Sequence, residues 1–296
     1  MNVEMIYPAA NIVGESIVWD APHSRLVWVD IIGKTIITME PKTGNFQSWE
    51  TPDFVTSIGL RCEGGAVVGL IHEICLWDFD DGFRTLAKLE SDLPDNRLNE
   101  GVVGPDGAFW VGTMQNNIAP DGSPKDMNAD TGRLYRCTAD GEVSELSDDR
   151  FGLTNTFVWP RDGGVITADT GKNEIYRYDY DPDNKCLSNR RVILSGFERG
   201  VPDGSTMDAE GYIWNCRVAG GGCLLRFDPE GQIDRVVDLP CSWPTSCTFG
   251  GENLDTLYVT SARFTMDEEY LNRNPHEGGL FKLKPGVSGF SPNCFG

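Results

Sequence analysis

The stretch RLNEGVVGPDGAFWVGTM, residues 97–114, decides the fold. Two apolar runs flank Pro105-Asp106-Gly107, and Asp-Gly between such runs is a strong short-range signal for a β-hairpin. A hairpin alone does not call for the polar cluster Arg97, Asn99 and Glu100 at its entrance. The same unit recurs along the chain, beginning at Glu15, Thr56, Asn99, Asn155, Asp203 and Thr245, with spacings of 41, 43, 56, 48 and 42 residues. Each copy is a short strand, a turn rich in Asp, Gly, Asn or Glu, and a second strand ending in a small or polar residue. A third strand follows, as KTIITMEP, EICLWDFD, GRLYRCTADG, NEIYRYDYDP, CLLRFDPEG and GLFKLKPG. These alternate apolar and polar residues, as a strand with one buried face does. A fourth strand is visible as FQSWE, RTLAKLE and RRVILS.

Four strands at that period indicate propeller blades. The reading is an all-β, six-bladed β-propeller with four-stranded antiparallel blades, forming one domain over residues 1–296; a β-sandwich is the alternative. The N-terminal EMIYPA is expected to close the ring by pairing into the last blade. The one helical candidate is a turn at 266–273.

The chain carries 25 Lys+Arg against 45 Asp+Glu, a formal net charge of −20. That balance argues against nucleic acid or an anionic membrane as partner, because both select basic surfaces. The first residues show neither a basic nor an apolar segment of a signal peptide, and no apolar run is long enough to span a bilayer. The nine cysteines are odd in number and lack C-x-x-C spacing. Several fall in apolar strand patterns, where free Cys packs as a small hydrophobe. The expectation is a reduced, cytoplasmic protein, monomeric or weakly dimeric.

In a propeller the first strand of every blade lines the central channel, so equivalent positions at the starts of those strands form a ring at one mouth. Here the ring reads Glu15, Thr56, Asn99, Asn155, Asp203 and Thr245. Carboxylate and carbonyl oxygens suit hard cations such as Ca²⁺, Mg²⁺ and Mn²⁺. None of the three histidines falls on the ring, which argues against a His-rich zinc site. Read singly, Asp203 in Pro-Asp-Gly is a turn residue and Glu15 a solvated charge; their shared phase turns them into a candidate metal site. Loops after each second strand return to the same mouth. The longest, residues 114–133, has the composition of a lid or binding loop. Arg97 is placed to orient an anionic or hydroxyl-rich ligand. Asp30, Asp169, Arg217 and Arg263 come from or near related loops and read as structural or solvated residues.

The chain resembles the SMP-30/gluconolactonase/LRE family, which includes regucalcin and bacterial sugar lactonases. The resemblance is carried by GESIVWD (14–20), RLNEG (97–101), GTM (112–114), TN (154–155), VPDGSTMDAEGYIW (201–214), TSCTFGG (245–251) and LYVTSAR (257–263). It implies that Glu15, Asn155 and Asp203 hold one divalent cation, calcium first, with zinc, manganese, magnesium or iron as alternatives. It also implies that Arg97 and Asn99 contact substrate and that Asp203 is the acid/base residue. Two departures stand out. Thr156-Phe157 follows Asn155 where the family often has Gly-Leu or Gly-Pro. The QNN after Gly-Thr-Met replaces regucalcin's substrate-contacting Glu, and by register Asn117 takes its place. The activity implied is metal-dependent hydrolysis of a sugar lactone to the aldonic acid, with a sugar pocket unlike regucalcin's. An esterase or organophosphate hydrolase using the same site, and a non-catalytic calcium-binding propeller, are the competing readings.

Overall fold

The computed structural model describes residues 1–79 and 82–296. Asp80, the last residue of the stretch EICLWDFD, lies outside the described residues, as does Asp81. Among the described residues, twenty-four strands form six four-stranded antiparallel sheets. Blade one is β2–β5 (Gly14–Asp20, Arg25–Asp30, Thr35–Met39, Phe46–Glu50) and blade two β6–β9 (Ser57–Leu60, Ala66–Gly69, Glu73–Trp77, Phe83–Lys88). Blade three is β10–β13 (Asn96–Val103, Phe109–Gln115, Leu134–Cys137, Val143–Glu145) and blade four β14–β17 (Thr154–Val158, Val165–Asp169, Glu174–Asp181, Cys186–Ser195). Blade five is β18–β21 (Val201–Met207, Ile213–Val218, Cys223–Phe227, Ile233–Asp238). Blade six is β22–β24 (Pro244–Gly250, Thr256–Ser261, Leu280–Leu283), completed by β1 (Val3–Tyr7). β1 pairs antiparallel with β24, Val3 opposite Leu283 and Met5 opposite Phe281. The first and last strands of the chain thus share a sheet, as expected. The innermost strands β2, β6, β10, β14, β18 and β22 contact one another in cyclic order and close the ring.

The burial gradient explains the sequence pattern. Strands in the middle of a blade are covered on both faces by neighbouring blades, so β3, β7 and β15 are buried almost throughout. Outer strands such as β5 and β21 face water and are mostly exposed. Six apolar clusters fill the wedges between adjacent blades. The wedge between blades six and one, for instance, stacks Trp19 on Tyr258 with ring centroids 6.0 Å apart. The expected helical turn is α1 (Glu268–Arg273), capped by Asp267, whose carboxylate accepts from the Tyr270 amide at 2.7 Å. No helix among the described residues is long and apolar enough to cross a membrane.

The expectation of a fully reduced chain does not hold. Cys62 and Cys294 form a disulfide, and the other seven cysteines are free. The C-terminal tail returns across the ring: Phe295 pairs in parallel with Arg61, its amide donates to Leu60 O at 2.8 Å, and its ring enters the wedge between blades two and three. This return brings together two cysteines separated by 232 residues, a proximity that spacing cannot reveal because the tail is irregular.

Candidate functional site

Each inner strand except β6 carries a register shift near its start, at Glu15/Val18, Leu98/Gly101, Asn155/Val158, Pro202/Ser205 and Pro244/Cys247. Bulges of this kind re-aim side chains next to functional sites. Glu15, Asn99, Asn155, Asp203 and Thr245 line one cavity of about 120 Å³ at the mouth, together with Arg97 and Asn117. Thr56, just before the strand without a shift, does not join them; its hydroxyl donates to Gly69 O at 3.2 Å. The loops after the second strands reach the cavity through Ile31, Asn117, Thr170 and Phe264, as the topology predicts.

Two of the shifts need left-handed backbone directly after the site residue. Ser16 has φ 51° and Thr156 φ 64°. This accounts for the glycine common in the family at the second position, since glycine reaches that region without strain. Thr156 compensates with its hydroxyl, which donates to Asp203 O at 2.6 Å and lies 2.8 Å from Ser205 Oγ. The side chain that departs from the family pattern therefore braces the backbone of Asp203.

The hydrogen bonds fix which atoms face the cavity. Asn155 Nδ2 donates to Thr170 Oγ1 at 2.7 Å, and its Oδ1 accepts from Asn99 Nδ2 at 3.2 Å. Asn99 Nδ2 also donates to Thr154 O at 2.8 Å, and Asn99 Oδ1 accepts from Arg97 Nη1 at 2.7 Å. Arg97 Nε and Nη2 both donate to Asn117 Oδ1, at 3.2 and 2.9 Å. One chain of contacts thus runs from Asn117 through Arg97 and Asn99 to Asn155.

The electrostatics are those of a crowded acidic centre. Burial raises the Glu15 carboxyl to about 7, although the Ser16 amide, Arg97 and Asp203 pull it down. Burial, and then the charges of Glu15 and Glu100, push Asp203 well above the usual carboxylate range. Glu100, buried on the channel side of the site, is raised in the same way by burial and Glu15. Burial lowers Arg97 to about 10, against the pull of Glu15 and Asp203. Two carboxylates desolvated together are unfavourable unless a cation or protons accompany them. Among the described residues no three His, Cys, Asp or Glu side chains converge; the candidate set is two carboxylates and the amide oxygen of Asn155. All three donors are oxygens, which fits a hard divalent cation.

Three of the four residues read as structural or solvated from the sequence have structural partners here. Asp30 accepts from the amides of Ile12, Val13 and Gly33, and Asp169 from those of Gly152 and Leu153. Arg217 donates to Gly200 O and Asn173 Oδ1. Sequence reasoning missed Thr170, Trp243 and Phe264 as cavity residues, since they sit in connections with no repeat phase. It also missed a second cavity of about 350 Å³, farther along the inner strands and covered by Phe290–Asn293 of the tail.

Comparison with known proteins agrees with this geometry. Residues 13–263 match the family described as SMP-30/Gluconolactonase/LRE-like region. The chain belongs to that family. It is 33% identical to regucalcin of Xenopus laevis over 300 residues, covering 100% of this chain and 98% of that protein. It is 32% identical to a 6-deoxy-6-sulfogluconolactonase of Pseudomonas putida, covering 96% and 95%. The solved structure of a calcium-binding protein, regucalcin, from Agrobacterium tumefaciens superposes with a TM-score of 0.89 at 26% identity, covering 99% and 96%.

Proposed function

We propose that this protein hydrolyses a sugar lactone to the open-chain aldonic acid, with one divalent cation held by Glu15, Asn155 and Asp203. The carrying observation is the chain of contacts across a single cavity, with an oxygen-only cation set at one end and an Arg–Asn positioning group at the other. A hard cation there, with calcium first among candidates, supplies Lewis acidity toward the lactone carbonyl oxygen. Arg97, Asn99 and Asn117 hold the sugar hydroxyls and keep the ring in one orientation. Asp203 takes a proton from the water that attacks the carbonyl carbon. The bond between that carbon and the ring oxygen breaks, and the proton returns to the departing oxygen as it becomes a hydroxyl. Apolar side chains such as Val13, Leu153 and Trp243 wall the cavity, which lowers the local dielectric and strengthens every polar contact inside. The setting that fits is cytoplasmic sugar catabolism. The Pseudomonas relative is named for a sulfonated gluconolactone and regucalcin's solved relative for calcium; both names support this reading.

The test is proton release from a panel of aldonolactones, using metal-stripped protein, the same protein with Ca²⁺, Mn²⁺, Mg²⁺, Zn²⁺ or Fe²⁺ restored, and Asp203→Ala. Cation-dependent turnover lost in the variant supports the reading. No rate above the spontaneous one, with every cation tried, moves the site to another ester class or to a binding role.

A further inference from the structure

Arg97 is a buried cation, 4% exposed, whose own blade gives it no countercharge. Its Nη1 hydrogens go to Leu98 O at 2.8 Å and Asn99 Oδ1 at 2.7 Å, and Nε–H and one Nη2–H go to Asn117 Oδ1. A guanidinium has five N–H donors, so one Nη2–H remains. All its acceptors are neutral, and among the described residues no carboxylate pairs with it. The fold treats other buried arginines differently. Arg226, 2% exposed, holds Asp208, Glu210 and Asp234 at 2.8, 2.6 and 2.8 Å. Arg217 has no carboxylate either, but it does not line the cavity, and backbone carbonyls of the 197–200 loop take its donors.

Position in the repeat makes the exception sharper. Arg97 stands two residues before the ring residue of its blade. The equivalent positions elsewhere are Val13, Phe54, Leu153, Val201 and Trp243, all apolar. Of the side chains lining the cavity, only Glu15, Asp203 and Arg97 are charged. A divalent cation cancels the two carboxylates, and the cavity is left with one positive charge beside Asn117, which accepts from Arg97 but cannot neutralise it.

Resting on the lactonase reading, we propose that the substrate of this site is an acidic lactone, one bearing a carboxylate or sulfonate besides the lactone carbonyl, and that this anion pairs with Arg97 beside Asn117. A planar guanidinium with a free N–H suits either oxyanion. Asn117 sets the specificity: a carboxylate at this position would occupy Arg97 internally and repel the substrate's anion.

The experiment compares kcat/KM for glucono-1,5-lactone, a glucarolactone and a 6-sulfonated gluconolactone, using cation-loaded wild type, Asn117→Glu and Asn117→Gln. The expected wild-type preference for an acidic lactone over the neutral one is about ten- to a hundredfold, the size of one charge-assisted hydrogen-bond pair. The carboxylate and sulfonate arms tell which oxyanion is preferred. Asn117→Glu abolishes the preference, chiefly through KM, whereas Asn117→Gln, equally long but neutral, retains it. A wild type that turns over the neutral lactone at least as well as both acidic ones overturns the inference while leaving the lactonase reading standing. So does an equal loss of preference in the two variants. Calorimetry with glucarate and gluconate separates the other case. If no lactone is hydrolysed, tighter binding of the dicarboxylate that is lost in Asn117→Glu still supports an acid-binding site, and equal binding overturns it.

Discussion

At the scale of single residues, aspartates of similar sequence context separate by what surrounds them. Asp106 and Asp208 both sit in hairpin turns. Each accepts from a tryptophan indole, Trp110 at 3.2 Å and Trp214 at 2.8 Å, and from an arginine. Asp203 lies in an equally turn-like Pro-Asp-Gly, yet it is in a strand and its carboxyl faces Glu15 across the cavity. Only the repeat phase distinguishes it in the sequence. The raised carboxyls give a pH prediction. Glu15 titrates near 4.5 when unfolded and at about 7 in the folded, cation-free protein. Between those values the folded state binds the extra proton, so stability of the cation-free protein is full below about 4.5 and falls as pH rises toward 7, by on the order of 3 kcal/mol. The upward shift of Asp203 acts in the same direction. A cation needs both groups ionised, so its stabilising effect grows over the same window. Unfolding midpoints at pH 5, 6, 7 and 8, with chelator and with excess Ca²⁺, should therefore diverge as pH rises. Chelated protein that grows more stable from pH 5 to 8, with no response to any cation, would remove Glu15 and Asp203 as a cation pair.

At the scale of elements, the hairpins were legible because each repeats one pattern: an alternating strand, a turn with Gly or Asp-Gly, and a second strand. The candidate site, as a cluster around one cavity, was legible for the same reason, since Glu15, Asn99, Asn155 and Asp203 recur in phase. Thr170, Trp243 and the Asn117 contact with Arg97 depend on irregular connections, whose path local sequence does not specify; Asn117 was placed only by register with relatives. The tail was invisible on the same grounds. Its disulfide closes a span of 232 residues, and cross-links over long spans restrict the unfolded chain most. Here β1 already ties the ring through β24, and Phe295 packs in a core wedge, so the bridge adds to a closed structure. Cys294→Ser, or reduction of the wild type, should lower the thermal midpoint by about 1.5–2 °C, the shift expected for roughly 1 kcal/mol in a chain of this length. Lactone turnover should not change, because the tail covers the cavity at the other end of the inner strands. A variant with altered turnover at an unaltered midpoint would show instead that the two cavities communicate.

At the scale of the whole molecule, charge is distributed in opposition. The surface carries most of a net −20, while the cavity, with the proposed cation in place, would expose an uncompensated Arg97. An acidic lactone is therefore repelled at long range and attracted at contact. These two terms respond differently to salt. The surface field is screened over about 10 Å at 0.1 M ionic strength, whereas the pairing with Arg97 takes place in a buried, apolar-walled site where screening is weak. Raising ionic strength from about 10 to 150 mM should increase kcat/KM for an acidic lactone several-fold, by removing the repulsion that slows encounter. A neutral lactone experiences neither term and should change little, so it serves as the control in the same titration. Rates that fall with salt for the acidic substrate alone would mean that the positive mouth outweighs the surface. Rates that fall equally for both substrates would point to salt acting on the cation site. A flat response for the acidic lactone would mean that the surface charge does not reach the mouth.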